Sequence, residues 1–212
     1  MTDVWSERAE AYRTSPAHRE GPDLDLIVEW AAGAQTALDV ATGGGHVARV
    51  LREAGLKVVT TDAAPGMEPD VIAPADHLPF ADASFDAVAC RIAAHHFPDV
   101  LAALREMARV ARHRVVICDN VFVSESSEAA DRLRDPSHVR NYGVPEWHSF
   151  CELAGLEVAD EAFLVRDTDA EDWLARTETP EPDRVRVREL LGDRISDGRL
   201  ELPTVVLRAV TR

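Results

Sequence analysis

Lysine is almost absent from this chain. Lys57 is the only one among 23 basic residues, and these face 38 acidic ones, for a formal net charge of −15 over 212 residues. A chain so acidic lacks the basic footprint that a phosphate backbone requires, which excludes nucleic acid as the main partner. The acidity itself serves solubility. Cysteine is scarce too. Cys90, Cys118 and Cys151 lie far apart and form no C-x-x-C pair, which argues against a disulfide scaffold or a zinc knuckle and fits a reducing compartment. No apolar run approaches the ~20 residues of a membrane span. Met1-Thr2-Asp3 opens on polar residues and an acid rather than on a secretory signal. The expectation is a cytoplasmic chain with no membrane partner. No serine sits in a G-x-S-x-G turn, so a nucleophilic triad has no support. Repeats, low-complexity runs and linkers are missing as well. The length and a hydrophobic fraction of 46% suit one domain with a full α/β core.

What is present centres on Thr36 to Asp62. Ala37-Leu38-Asp39-Val40-Ala41 reads as a buried parallel strand, and Thr42-Gly43-Gly44-Gly45 breaks it. Val47, Val50, Leu51 and Ala54 then recur at helical spacing until Gly55, and Lys57–Thr61 restores a strand that ends on Asp62. Glycines allow close approach of backbone to ligand, a helix start offers unpaired N–H groups, and an acid about 20 residues on can accept from ribose hydroxyls. This is half of a nucleotide site. Gly43, Gly45 and Ala48 also fit G-x-G-x-x-G/A, so a nicotinamide or flavin enzyme competes at this point.

Flanking elements follow the same alternation. Helices are expected over residues 3–13 and 23–33, the second with Asp23 as N-cap. Trp5 and Tyr12 share a helix face; the plain expectation is packing onto the domain, the alternative a lid with Tyr12 and His18 pointing at substrate. Short strands are expected at 71–73, 85–92 and 114–118, with a helix over 98–111. The region 1–35 thus supplies N-terminal helices and 36–120 a doubly wound, mostly parallel α/β sheet with its ligand crevice at the strands' carboxyl ends. Region 121–212 carries helices near 125–134, 145–155, 170–176 and 183–191, a polar loop, and two late strands at 156–165 and 200–210 that add antiparallel at one edge. His95, His96 and Asp119 sit at the crevice; His138 and Arg140 lie on a loop able to fold over it. A histidine suits proton removal near neutral pH; the bland alternative for His95-His96 is a structural pair. No ligand spacing supports a metal site from His95, His96 and Asp119.

The pieces LDVATGGGH, VVTTD, ADHLPFADASFDAVACRIAAHHFPD, ALREMARV and VVICDN, in this order, resemble a class I S-adenosylmethionine (SAM)-dependent methyltransferase of the ubiquinone/menaquinone-biosynthesis-like branch. The resemblance spans nearly the whole chain and weakens the nicotinamide reading, which has no role for ADHLPF. It implies a seven-stranded, Rossmann-like sheet with a C-terminal antiparallel hairpin and SAM as cofactor. By the same resemblance Asp39 with Ala41, Thr42, Gly43, Gly44 and Gly45 would hold the methionine part. Asp62 would take the ribose hydroxyls, Ala63 would flank the adenine, and Asp76 would meet its amino group with His77 alongside. Arg91 and Ile92 would close the pocket. Two departures stand out. Pro65, Pro69 and Pro74 crowd the short stretch between Asp62 and Asp76, so the helix such enzymes carry there shrinks to a turn or vanishes. The usual turn after the 98–111 helix is missing. The expected activity is methyl transfer to a small molecule of secondary or cofactor metabolism. Alternatives are a methyltransferase-like fold that closes a small ring without methylating, and a non-catalytic subunit; a homodimer or partner protein is compatible with any of these.

Overall fold

The computed structural model describes residues 4–212, without the side chains of Pro16 and Ala17; the expected helix start at Asp3 lies outside the described residues. Helices α1 (Val4–Thr14), α2 (Pro16–Arg19) and α3 (Pro22–Trp30) precede β1 (Thr36–Val40), α4 (His46–Glu53) and β2 (Lys57–Asp62). A single 3-10 turn, Pro65–Met67, replaces the expected helix before β3 (Val71–Ile72), as the prolines require. Then follow β4 (Phe85–Arg91), a 3-10 turn at Ala94–His96, α5 (Val100–Val110) and β5 (Ala111–Asn120). The second half holds α6 (Glu125–Arg134), α7 (Val144–Leu153), β6 (Leu156–Asp169), α8 (Ala170–Ala175), α9 (Glu181–Leu191), β7 (Ile195–Ser196) and β8 (Arg199–Thr211).

Seven strands run in the order β3-β2-β1-β4-β5-β8-β6, the first five parallel; the two-residue β7 pairs with β8 off this path. Strand β8 lies antiparallel to both β5 and β6. The sheet is therefore mostly parallel with a reversed end, the methyltransferase architecture. Its two faces follow the period of two along each strand. Leu38, Val40, Val88, Cys90, Val115 and Ile117 face α5 and α7, where Leu104, Met107 and Trp147 are fully buried. The alternate positions, Ala37, Ala87, Ala89, Val116 and Cys118, face Leu24 and Ile27 of α3 and Val47 and Leu51 of α4. A third cluster under α6, α8 and α9 buries Trp173, Leu174, Val187 and Leu200.

Three details differ from expectation. Asp23 does not cap α3; Gly21 occupies that position, and the fully buried Asp23 carboxylate instead pairs with Arg91. Strand β5 begins at Ala111, immediately after α5, because the missing turn leaves no loop. Strand β6 continues through Asp169, since β8 pairs with it along its full length. Among the described residues no helix is long and apolar enough to cross a membrane.

Candidate functional site

The carboxyl ends of β1, β2 and β4 open into a cavity of about 350 Å³, a size typical of small-molecule sites. At its floor Asp39, 1% exposed, receives the Thr42 hydroxyl at 2.6 Å and the Ala48 N–H at 3.0 Å, both on Oδ2. Burial outweighs these donors and, with nearby Asp62, pushes the Asp39 carboxyl up to about 6. Arg91 favours the ionised form as well, but too weakly to offset burial. Asp62, at the end of β2, accepts from Gly43 N–H at 3.0 Å and Ala64 N–H at 2.9 Å, which fixes the glycine loop against the second strand. Ala41 (φ 54) and Ile92 (φ 50) hold left-handed backbone in the cavity wall, where bulky residues adopt it only under constraint from their surroundings.

Helix α1 covers this cavity. The His46 Nε2–H donates to the Tyr12 carbonyl at 3.0 Å, the tautomer that a carbonyl acceptor demands, and that carbonyl sits where a Cβ on Gly44 would be, 2.8 Å away. On the other side Gly66 lets the same helix touch the turn after β2: a Cβ there would lie 2.5 Å from Ser6 Cα. Gly66 N–H donates to the Ser6 hydroxyl at 2.7 Å, and Arg13 donates to Gly66 O at 2.7 Å. Trp5 and Tyr12 pack with Ala9, Ala64 and Met67, as the packing expectation has it, and together with His18 they also line the cavity. Helix α1 thus packs directly on the shortened segment after β2.

Arg91 enters from the end of β4. Its Nε donates to Asp23 Oδ2 at 2.6 Å and its Nη1 to the His18 carbonyl at 2.9 Å, while buried Nη2 has no partner. Just past β4, His95 Nδ1 meets Asp119 Oδ1 at 2.5 Å, and Asp119 also accepts the His95 N–H at 2.9 Å. His96 Nδ1 lies 3.1 Å from the Ser137 carbonyl. A carbonyl only accepts, so Nδ1 carries the proton and Nε2 keeps its lone pair. Burial and neighbouring His95 hold the His96 imidazole well below its usual range, so it stays neutral. His96 rests edge-on against Trp5 at 4.6 Å and borders both the main cavity and a smaller inner chamber of about 50 Å³.

Of the residues singled out in the sequence, Asp39, Ala41, Thr42, Gly43, Gly44, Asp62, Ala63, Asp76, Arg91, Ile92 and His96 line the cavity together, and His95 lines the inner chamber. Gly45 is the N-cap of α4 and stands behind the wall. His77 is exposed and does not reach the cavity. Asp119 is fully buried beneath His95. The loop of His138 and Arg140 packs on the crevice residues, with the Val139 and Arg140 N–H groups donating to the His95 carbonyl at 3.0 and 3.1 Å and the His138 ring 5.5 Å from that of His95, but neither side chain lines the cavity. Buried Glu128 engages His138 Nε2 at 3.2 Å and receives the Asn141 N–H at 3.0 Å, and Glu146 receives an N–H of Arg140 at 2.7 Å. Glu128, Asp131 and His138 do bring three ligating atoms within 4.8 Å of one another, but Asn141 and Arg132 already occupy the carboxylates. Sequence reasoning missed Met67 and Phe97 in the cavity and Arg134, Arg166 and Arg176 in the chamber. No sequence pattern marked Arg166, which follows the apolar run Ala162-Phe163-Leu164-Val165; only the alternating burial along β6 shows which side it faces.

Residues 38–118 match the methyltransferase domain family. The uncharacterized methyltransferase YcgJ of Bacillus subtilis is 32% identical over 200 residues, covering 83% of this chain and 79% of its own. The YcgJ crystal structure superposes with a TM-score of 0.80 at 26% identity over 90% of this chain and 98% of that one. A demethylmenaquinone methyltransferase of Mycolicibacterium paratuberculosis is 39% identical over 95 residues, 40% of this chain and 41% of its own. A reversed strand end, an acid closing each of the first two strands and a glycine loop clamped between them now stand beside a whole-length relative. The chain belongs to the class I SAM-dependent methyltransferase family.

Proposed function

We propose that this protein moves a methyl group from SAM to an O, N or C nucleophile on a small-molecule acceptor of biosynthetic metabolism. The observation that carries the reading is the Asp39 carboxyl, buried in the cavity floor and pushed up to about 6. A cation placed beside it recovers the ionised form. Two further features fit the same ligand. Arg91 Nη2 is a buried donor without an acceptor, suited to a carboxylate, and Asp62 stands at the β2 terminus where ribose hydroxyls are accepted. On this reading Asp39 and Arg91 hold the two charged ends of the methionine part, Asp62 the ribose, and Ala63, Asp76, Met67 and Trp5 the adenine side. When bound, SAM supplies an electrophilic methyl on a sulfonium.

The chain's own work is alignment, exclusion of water and custody of one proton. Helix α1 closes over the cavity and keeps bulk water from it. His96 Nε2, neutral and facing the space between cavity and chamber, accepts the proton when the acceptor must lose one. His95, oriented by Asp119, stands behind it at a ring separation of 4.1 Å. The net charge of −15 favours a small acceptor over nucleic acid. The ring-closing alternative drew on the shortened segment after β2, against which α1 packs through Gly66 and Met67. The test is a calorimetric titration with SAM. Micromolar binding supports methyl transfer; no heat at millimolar SAM rejects it, and turnover of a substrate without SAM would turn the reading to ring closure.

A further inference from the structure

The inner chamber carries a feature that SAM binding does not use. It is bordered by three arginines from three separate elements: Arg134 at the end of α6, Arg166 in β6 and Arg176 just after α8. Their guanidinium groups are poorly supplied with acceptors. Arg166 donates from Nε to the Thr204 hydroxyl at 3.1 Å and from Nη2 to Asn120 Oδ1 at 2.7 Å, both neutral partners. Arg134 lies over the Trp173 ring at 4.0 Å and donates to the Trp173 carbonyl at 3.1 Å, while its buried Nε has no partner. Arg176 has neither a side-chain hydrogen bond nor an ion pair among the described residues. Asp167 is the one carboxylate on the chamber wall, and Arg199 takes it at 2.9 Å.

Three cations held together repel one another and lose hydration; Asp172 acts on Arg176 and Asp135 on Arg134, but among the described residues neither carboxylate forms an ion pair with them. Burial and neighbouring Arg134 and Arg166 bring Arg176 down to about 10. Burial and nearby Arg91 lower Arg166. His18, in the partition between the two spaces, is held well below its ordinary range by burial and then by Arg176, Arg166 and Arg91. Of the carboxylates facing the cluster, Asp23 is engaged by Arg91, Asp119 by His95 and Asp135 by Arg8, while Asp172 acts on Arg176 without pairing with it. A fold that carries such a cluster at a cost in stability is storing a site for an anion.

We propose that the inner chamber seats an oxyanion of the methyl acceptor, which makes the substrate a small organic acid anchored by Arg176, Arg166 and Arg134. The acceptor's neutral body then extends past Tyr12 and His96, which border both spaces, toward the methyl donor. The Tyr12 hydroxyl, raised by burial and without a hydrogen bond among the described residues, is the remaining donor on that path. Carboxylate and phosphate share this recognition chemistry, and a chamber of about 50 Å³ admits one such head group and little else.

This inference rests on the methyl-transfer reading for its direction but not for its test. The full chain is titrated with sodium acetate and with inorganic phosphate against sodium chloride at matched ionic strength, following thermal unfolding. The wild type is expected to gain several degrees from the oxyanion over chloride. Acetate acting at lower concentration assigns carboxylate acceptors, phosphate acting at lower concentration assigns phosphate esters, and either supports the site. In Arg176→Gln the half-saturating concentration should rise at least tenfold, while the unfolding temperature without oxyanion should equal or exceed that of the wild type. Arg176→Lys keeps the charge and loses the fork, and should fall between the two. Equal responses to chloride and oxyanion would overturn the proposal. So would an Arg176→Gln protein that is less stable and unchanged in its response, because that marks a structural arginine. Acetate that competes with SAM would reassign the cluster to the cofactor's own carboxylate and also overturn it. A protein that binds SAM but shows no oxyanion effect removes this inference alone; one that binds the oxyanion but not SAM removes the methyl-transfer reading alone.

Discussion

Asp39 and His96 hold the proton states on which the site depends, and each shifts against its ordinary preference. For Asp39 the folded value of about 6 stands above the ordinary carboxylate near ~3.9. Its protonated form is therefore favoured by folding. The resulting stability is fully present below about pH 4 and is lost as the pH rises through 6, about 3 kcal/mol in all. Asp39→Asn keeps an oxygen for the Thr42 hydroxyl and the Ala48 N–H and removes that penalty. Ligand-free Asp39→Asn is expected to unfold at or above the wild-type temperature at pH 8, yet to bind SAM at least tenfold more weakly by calorimetry. In the wild type, SAM affinity should climb with pH up to about 6 and then level off. Affinity that is flat from pH 5 to pH 8 would remove Asp39 as the cation's partner. His96 shifts in the opposite sense. A lowered imidazole means that the unfolded chain takes up a proton first as pH falls through about 6.5, so stability drops on the acid side. Histidine ¹⁵N shifts followed from pH 8 to pH 6 should keep His96 as the neutral Nδ1–H tautomer. A charged ring over that interval would disqualify it as base. Asp39 was singled out through the family resemblance of LDVATGGGH, and the structure places it in the cavity lining. The tautomer of His96 was not, since it is set by Ser137, 41 residues away.

At the level of elements, the longer helices and strands of the first 120 residues were legible, whereas the four-residue α2 was not and β5 is longer at both ends than expected. Uninterrupted apolar runs marked β1, β4 and β5, and prolines correctly removed the helix after β2. What no local pattern disclosed was that α1 and the truncated segment complete each other. That complementarity exists only as the approach of residue 6 to residue 66, with Gly66 at the contact. For the same reason the partners of His138 and Arg140 were not legible: their loop does bond to the His95 carbonyl, but Glu128 and Glu146 hold the two side chains outside the cavity lining. The contact at Gly66 gives the test. A Cβ at this position meets the Cα and Cβ of Ser6 at 2.5 Å, atoms that cannot give way without moving α1. Gly66→Ala should loosen the lid, weaken SAM binding about tenfold or more, and expose the chain to trypsin at Arg8 and Arg13, with the unfolding temperature lowered by only a few degrees. Unchanged SAM affinity with α1 still protease-resistant would show that the helix is packing alone.

The whole molecule joins two structures of different legibility. The parallel half follows from alternation of strand and helix, whereas the inner chamber is assembled from α6, β6 and the end of α8, whose contributing arginines are spread from 134 to 176. Composition offered no warning of that cluster, because a net charge of −15 averages over a surface rich in Asp and Glu and an interior pocket rich in Arg. Yet both halves share one sheet: β8 pairs with β5 along seven positions and with β6 along thirteen. The two halves should therefore unfold together, and a ligand held by one should stabilise both. The cofactor's product, S-adenosylhomocysteine, at a hundred times its dissociation constant adds about 2.7 kcal/mol. For a chain of this size that raises the unfolding temperature by roughly 5–10 °C. Calorimetry should show this as one transition moved intact, with NADH at the same concentration producing no shift. Two separated transitions, only the first moving with ligand, would mean that the reversed strands form a unit of their own, and the shared sheet would then not couple cofactor to acceptor.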